Sequence, residues 1–200
     1  MEKLILASSS PRRRQLLRQI GLDFGEVPSG VMEDFIDGES PKDHVLRLAE
    51  AKSRKVGEMC PNRWVIGADT VVSIAGMILG KPQTDREASQ MLIALSGRDH
   101  VVVTGVSVCH GAKGKGKTIA VETLVRIKHL NPGEITWYIG TGEPFGKAGG
   151  YAIQGIGAFM VQRIEGSYTN VVGLPLCELL EVLNHLKAVD LSGRLWVPFP

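Results

Sequence analysis

The stretch Trp64 to Gly80 constrains this chain more than any other. It is mostly apolar and rich in β-branched residues, yet it carries Asp69 in its middle and glycines at 67, 76 and 80. It falls short of the about 20 apolar residues needed to span a bilayer. It reads instead as two strands, Val65 to Ile74 and Met77 to Leu79, around a turn at Ala75-Gly76. Further β-branched runs follow at His100 to Cys109 and Thr118 to Ile127. Strands this apolar must be covered by other elements. Within them, Asp69 and Thr70 put a carboxylate and a hydroxyl among buried neighbours, where polar groups are costly unless they have partners or work to do.

The cover comes from helical patterns on either side. Ser10-Pro11 starts a helix with Leu16, Leu17 and Ile20 on one face and Gly21 at its C-terminal end. Ser40-Pro41 opens a second, carrying Val45, Leu48, Ala49 and Lys52 towards Val56. Thr84 caps a third with Met91, Leu92 and Leu95 inside, Asn131-Pro132 a fourth that ends near Gly140, and Leu174-Pro175 begins a last one reaching Leu186. A strand is expected from Phe159 to Ile164. Hairpin-like strands in the middle, flanked by strand-helix units at both ends, predict an α/β fold with a mixed sheet. No linker and no internal repeat interrupts the pattern.

Composition narrows the function. A net charge of only +2 with 44% hydrophobic residues excludes general disorder, and it argues against a surface dedicated to coating nucleic acid. Cys60, Cys109 and Cys177 are an odd number without zinc-ligand spacing, so they read as reduced thiols in a cytoplasmic protein. The apolar run at the N-terminus is too short for a signal peptide. The expected partner is therefore a small molecule, with neither membrane nor stable nucleic acid involved.

Two segments suggest phosphate. Gly111, Gly116, Lys117 and Thr118 match G-x-x-x-x-G-K-[ST], but that motif needs a following helix, and TIAVETLVRI alternates like a strand. GAKGKGK is therefore read as a solvated hairpin loop. The SSSPRRR junction is stronger: Arg12, Arg13, Arg14 and Arg18 crowd the helix start, where the dipole favours anions over cations. Ser8, Ser9 and Ser10, the free amides of the helix start and the adjacent guanidinium groups could seat a polyphosphate.

LASSSPRR, Glu33, RLAEAK, GADTVV, GKP, the HVVVTGVSV strand, the GKAGGYAIQG loop and GSYTNVVGLP together resemble the Maf family of nucleoside triphosphate pyrophosphatases, from about Lys3 to Leu186. The resemblance implies an elongated, mixed-sheet Maf/ITPase-like fold with helices flanking a twisted central sheet. One catalytic domain over 1–187, with room for two lobes around a cleft, would be followed by a C-terminal tail over 188–200. It implies hydrolysis of dTTP and UTP between the α- and β-phosphates with Mg²⁺ or Mn²⁺. Asp69 matches the catalytic base, Ser8 to Arg13 the phosphate seat, and Glu33, Lys52 and Lys81 the other polar active-site positions. Arg12, Thr70 and Gln154 match those associated with a pyrimidine base. A homodimer is the family expectation.

Carboxylates ionise near pH 4 and are weak bases. Asp69 is accordingly expected to orient or deprotonate metal-bound water, with Glu33 sharing the metal. Gln154 offers an acceptor and a donor to the O4 and N3–H edge of uracil or thymine. One departure stands out: the family often has Asp where this chain has Gly146, which puts a loop-anchoring role for that Asp in doubt. The competing reading is a nucleotide-binding regulator of septum formation with little turnover. A backbone-gripping nucleic-acid module and an ATPase built on Gly111 to Thr118 are weaker.

Overall fold

The computed structural model describes residues 4–189. Its framework is one mixed seven-stranded sheet: β1 (Leu4–Leu6), β2 (Phe24–Glu26), β3 (Trp64–Ile74), β4 (Met77–Leu79), β5 (Asp99–His110), β6 (Lys115–Ile127) and β7 (Val161–Glu165). The order is β2-β1-β3-β5-β6-β7, with β4 on the β3 edge. β1 runs parallel to β2 and β3, and the other pairings are antiparallel. The helices are α1 (Pro11–Gln19), α2 (Pro41–Met59), α3 (Asp85–Leu95), α4 (Pro132–Gly140), α5 (Tyr168–Val172) and α6 (Leu176–His185). None of the described helices is long and apolar enough to cross a membrane.

Period-two alternation sorts β3 into two faces. Val65, Gly67, Asp69 and Val71 face α2, with Val65 packed beside Val56 and Val71 beside Val45. The opposite face carries two separate apolar clusters. Trp64, Ile66 and Ala68 join Leu16, Leu17, Leu179 and Leu183, whereas Val72 and Ile74 join Leu92, Leu95, Ile135 and Tyr138. Ala188 and Val189 belong to the first of these clusters. The tail expected from 188 onward otherwise lies outside the described residues.

The helix starts follow the cap residues. Ser10, Ser40, Thr84 and Asn131 each accept the backbone N–H three residues on, which satisfies a donor that the helix itself leaves free. Two local expectations need correction. β6 begins at Lys115, so only residues 111–114 form the hairpin turn, because Lys115, Gly116 and Lys117 pair with His110, Cys109 and Val108. The strand expected from Phe159 begins at Val161, since Ile156–Met160 winds as a 3-10 helix. The short elements β2 and α5 carry no periodic pattern long enough to announce them.

His100 sits 2% exposed at the start of β5, its Nε2 2.7 Å from the Tyr151 hydroxyl. Burial lowers its pKa from 6.5 to about 4. Between those values the unfolded chain binds the proton and the folded one does not, so stability falls as pH drops from about 6.5 towards 4. The cost over that window is about 3 kcal/mol. Urea denaturation at pH 7 and pH 4.5 is expected to show this slope reduced in His100→Gln. An equal slope in both proteins refutes the assignment.

Candidate functional site

β3 has a gap on one edge. β1 pairs with it only at Val65 and Ile66, and β4 only at Val72, Ser73 and Ile74. Between them, 67–71 have no strand neighbour on that side, and the chain leaving β1 turns away through Ser8, Ser9 and Ser10 into α1. Arg13 serves the exposed backbone. Its Nη1 donates to the Ala68 carbonyl at 2.9 Å and to Ser8 Oγ at 3.3 Å, Nη2 to Thr70 Oγ1 at 3.0 Å, and Nε to the Gly173 carbonyl at 2.8 Å. Arg13, expected within the phosphate seat, thus gives these donors to protein acceptors that tie α1, β3 and the end of α5 together. Arg14 and Arg18 pair with Glu26 on β2 at 3.2 and 3.8 Å. Arg12 borders the cleft, where desolvation lowers its pKa against the opposing charge of Glu143.

On the other face of β3, two glycines decide how close α2 comes. A Cβ on Gly67 would lie 2.3 Å from the Ala49 carbonyl oxygen, and one on Gly105, the β5 partner of Asp69, 2.1 Å from that of Val45. With no side chain in the way, α2 lies directly on the sheet and Lys52 reaches Asp69. Its Nζ, on a residue 4% exposed, donates to Asp69 Oδ1 at 2.6 Å and to Glu33 Oε1 at 2.7 Å. Lys81 Nζ takes the other Glu33 oxygen at 2.6 Å. Burial works to raise the Glu33 pKa, but the hydrogen bonds from Lys52 and Lys81 prevail and hold it at about 2. Glu33 therefore stays ionised at any pH above that range.

Glu33 lies in residues 27–40, which contain no helix or strand. Cations on α2 hold this loop. Lys55 Nζ donates to the Gly30 carbonyl at 3.1 Å and Arg47 Nη2 to that of Asp34 at 3.0 Å, alongside the Lys52–Glu33 pair. His44 stands behind the site, its Nδ1 2.9 Å from Glu39 Oε2 and its Nε2 3.9 Å from Asp69 Oδ2. Sequence reasoning missed it, because a histidine on an apolar helix face looks like core.

These groups border a cleft of about 410 Å³ whose lining includes Ser8, Ser9, Ser10, Arg12, Arg13, Glu33, Asp69, Thr70, Lys81 and Gln154. Lys52 sits behind this lining, reached through its two carboxylates. The apolar wall is formed by Val72, Val102, Phe145, Tyr151, Ile153 and Val171. Thr70 lies on the sheet face opposite Asp69, with its Oγ1 3.0 Å from Thr104 Oγ1, so its hydroxyl is engaged by the fold. Gln154 is half-buried and its amide makes no hydrogen bond to another described residue. Lys147 completes the rim, its pKa lowered by desolvation and by Arg12. The Gly-rich loop closes onto the Lys81 segment through Gly149 N–H and the Gly80 carbonyl at 3.0 Å.

The GxxxxGKT string lies elsewhere, beside the C-terminal half of α2, and its Lys117 and Thr118 belong to β6 instead of opening a helix. Among the described residues no group of three or more His, Cys, Asp or Glu side chains gathers as a metal cluster. The three cysteines are free thiols.

Relatives align over nearly the whole chain. A Syntrophus aciditrophicus protein named dTTP/UTP pyrophosphatase is 48% identical over 192 residues, covering 96% of this chain and 94% of its own. One of the same name from Syntrophotalea carbinolica is 52% identical over 190 residues, 94% of this chain and 86% of its own. Among solved structures, the Staphylococcus aureus Ham1 protein superposes with a TM-score of 0.44 at 17% identity over 63% of this chain and 72% of that one, too loose a likeness to carry weight. Residues 3–186 match the family described as Maf-like protein, and with its cleft residues drawn from the length of that match, the chain belongs to this family.

Proposed function

We propose that the chain is a nucleoside triphosphate pyrophosphatase acting on dTTP and UTP, cleaving the α–β phosphoanhydride to monophosphate and pyrophosphate. The observation that carries this reading is the Lys52 ammonium bridging Asp69 and Glu33 at the wall of a cleft that Ser8–Ser10, Arg12 and Lys81 also line. The names of the relatives support it. A cleft of 410 Å³ lies in the usual range for small-molecule sites.

Phosphoryl transfer requires mainly positioning and charge neutralisation. Arg12 and Lys81 supply cations to the phosphate oxygens, and the serine turn supplies hydroxyls and amides. Lys52 holds Asp69 Oδ1, which leaves Oδ2 to orient the attacking water and accept its proton. Glu33 and Asp69 would hold a divalent cation of the Mg²⁺ type, which takes one or two protein carboxylates and completes its shell with substrate phosphate and water, in exchange for ammonium contacts that Lys52 and Lys81 make to them in this structure. When bound, such an ion lowers the pKa of water and offsets phosphate charge. Gln154, free to donate and accept, reads the uracil or thymine edge. A cytoplasmic homodimer belongs to the same reading.

Pyrophosphate release from dTTP, UTP, CTP, ATP and GTP with Mg²⁺ or Mn²⁺ tests it. Turnover of dTTP and UTP at least about tenfold above the purines is expected, within what a hydrogen-bonding base site can discriminate. Release from purines alone refutes the base assignment. Tight nucleotide binding without turnover favours a regulator instead.

A further inference from the structure

Gly146 leaves this chain without a carboxylate where the family often has Asp, yet the loop bearing Gln154 is not left unanchored. Glu143, just past α4, sends its carboxylate under that loop. Oε1 accepts the Ile156 N–H at 3.0 Å and Oε2 the Gly157 N–H at 2.7 Å. The fully buried Tyr138 hydroxyl accepts the Ala152 N–H at 3.2 Å, and burial, with the nearby Glu143 carboxylate, raises its pKa. Residues 152, 156 and 157 are therefore held on both sides of Gln154.

The backbone is shaped around this carboxylate. Gly155 has φ +117°, and a Cβ there would lie 2.2 Å from Glu143 Oε1. A Cβ on Gly157 would lie 2.7 Å from the Tyr138 hydroxyl and 2.6 Å from the Ala152 carbonyl oxygen. Only glycine at these places lets the chain wrap the two side chains so closely. At Gly146, by contrast, a Cβ would meet nothing within 4 Å.

We infer that Glu143, assisted by Tyr138, is a positioning residue for base selection: it fixes the 152–157 loop so that Gln154 meets the base from one place. This rests on the reading of Gln154 as the base-contacting residue. A carboxylate accepting two backbone N–H groups suits the task, because charge-assisted bonds are the stronger ones and two of them define an orientation. An amide in its place keeps one acceptor and turns an NH₂ towards the second N–H.

The test compares Glu143→Gln, Tyr138→Phe, Gln154→Ala and the double variant Glu143→Gln/Gln154→Ala, with two readouts. The first is amide hydrogen exchange at Ile156 and Gly157, which reports the clamp without reference to activity. In Glu143→Gln, exchange there is expected to accelerate by about tenfold or more, the loss of one charge-assisted hydrogen bond. The second is kcat and KM for UTP and GTP. KM for UTP is expected to rise about tenfold with kcat within about threefold, and the UTP-to-GTP ratio of kcat/KM to fall about tenfold. Tyr138→Phe moves the same way by about threefold, and it stands in should Glu143→Gln fail to fold. In the double variant the ratio equals that of Gln154→Ala alone, because the two residues act through one contact. An unchanged ratio in Glu143→Gln while Gln154→Ala lowers it overturns the proposal, as does an equal loss of kcat for both nucleotides. An unchanged ratio in Gln154→Ala overturns the base reading and with it the link from Glu143 to specificity. Slow exchange retained at Ile156 and Gly157 in Glu143→Gln overturns the clamp itself, which separates the two failures.

Discussion

Asp69→Asn is expected to lower kcat for UTP by about 10²–10⁴, the usual range for losing a positioned acid or base, with pyrophosphate still the product. The substitution keeps the shape and an acceptor for Lys52 Nζ, now 2.6 Å from Oδ1, but removes the charge and the basic oxygen. Lys52 retains Glu33 as a partner at 2.7 Å, so the ammonium is not stranded. A stability loss of about 1–3 kcal/mol follows from the weakened bond, and Tm should fall by less than about 10 °C. KM should change less than kcat, because the cations that meet the phosphates remain. Turnover within about threefold of the parent enzyme, in a protein with native circular dichroism, excludes Asp69 as the proton acceptor.

Gly105→Ala should be the most damaging single methyl in the molecule. Its Cβ would lie 2.1 Å from the Val45 carbonyl oxygen and 2.5 Å from the carbonyl carbon. Both are backbone atoms of α2, which cannot swing aside as a side chain could. The helix must lift from the sheet or the strand must bend, at a cost of about 4 kcal/mol or more, beyond ordinary overpacking. Gly140→Ala provides the control: it lies in α4, a Cβ there would meet nothing within 4 Å, and it should be neutral or stabilising by up to about 1 kcal/mol. Chemical denaturation of both measures the contrast. Any soluble Gly105→Ala should also lose turnover, because lifting α2 withdraws Lys52 from Asp69. A Gly105→Ala protein within about 1 kcal/mol of the parent means that α2 does not depend on this close approach.

Much of this architecture was legible in the chain. Cap residues marked the helix starts at Pro11, Pro41, Asp85 and Pro132 because an N-cap bond is made within four residues. The long strands announced themselves through β-branched runs. The short elements β2 and α5 did not, since three or five residues hold too few side chains to establish a period. The hairpin at residues 111–114 was placed correctly but drawn too long, because lysine and glycine look like loop while their backbone groups pair across to β5.

The candidate site divides along the same physical line. Its chemical inventory is a property of the sequence: Asp69 inside an apolar strand, arginines at a helix start, and Glu33, Lys52 and Lys81 as isolated charges that only a family resemblance could group. Which charge meets which is a property of the fold. Local sequence could not say that Arg13 turns inward to serve the free edge of β3 while Arg12 borders the cleft, that Lys52 bridges Asp69 and Glu33 across the space left by two glycines, or that Glu143 holds the loop on which Gln154 is carried. Those pairings join residues far apart in the chain, and each depends on how closely two packed elements approach. Caps and strand runs are decided by neighbours within a few residues, whereas the meeting of charges across a cleft is decided by backbone contacts that form only when the sheet and α2 are in place.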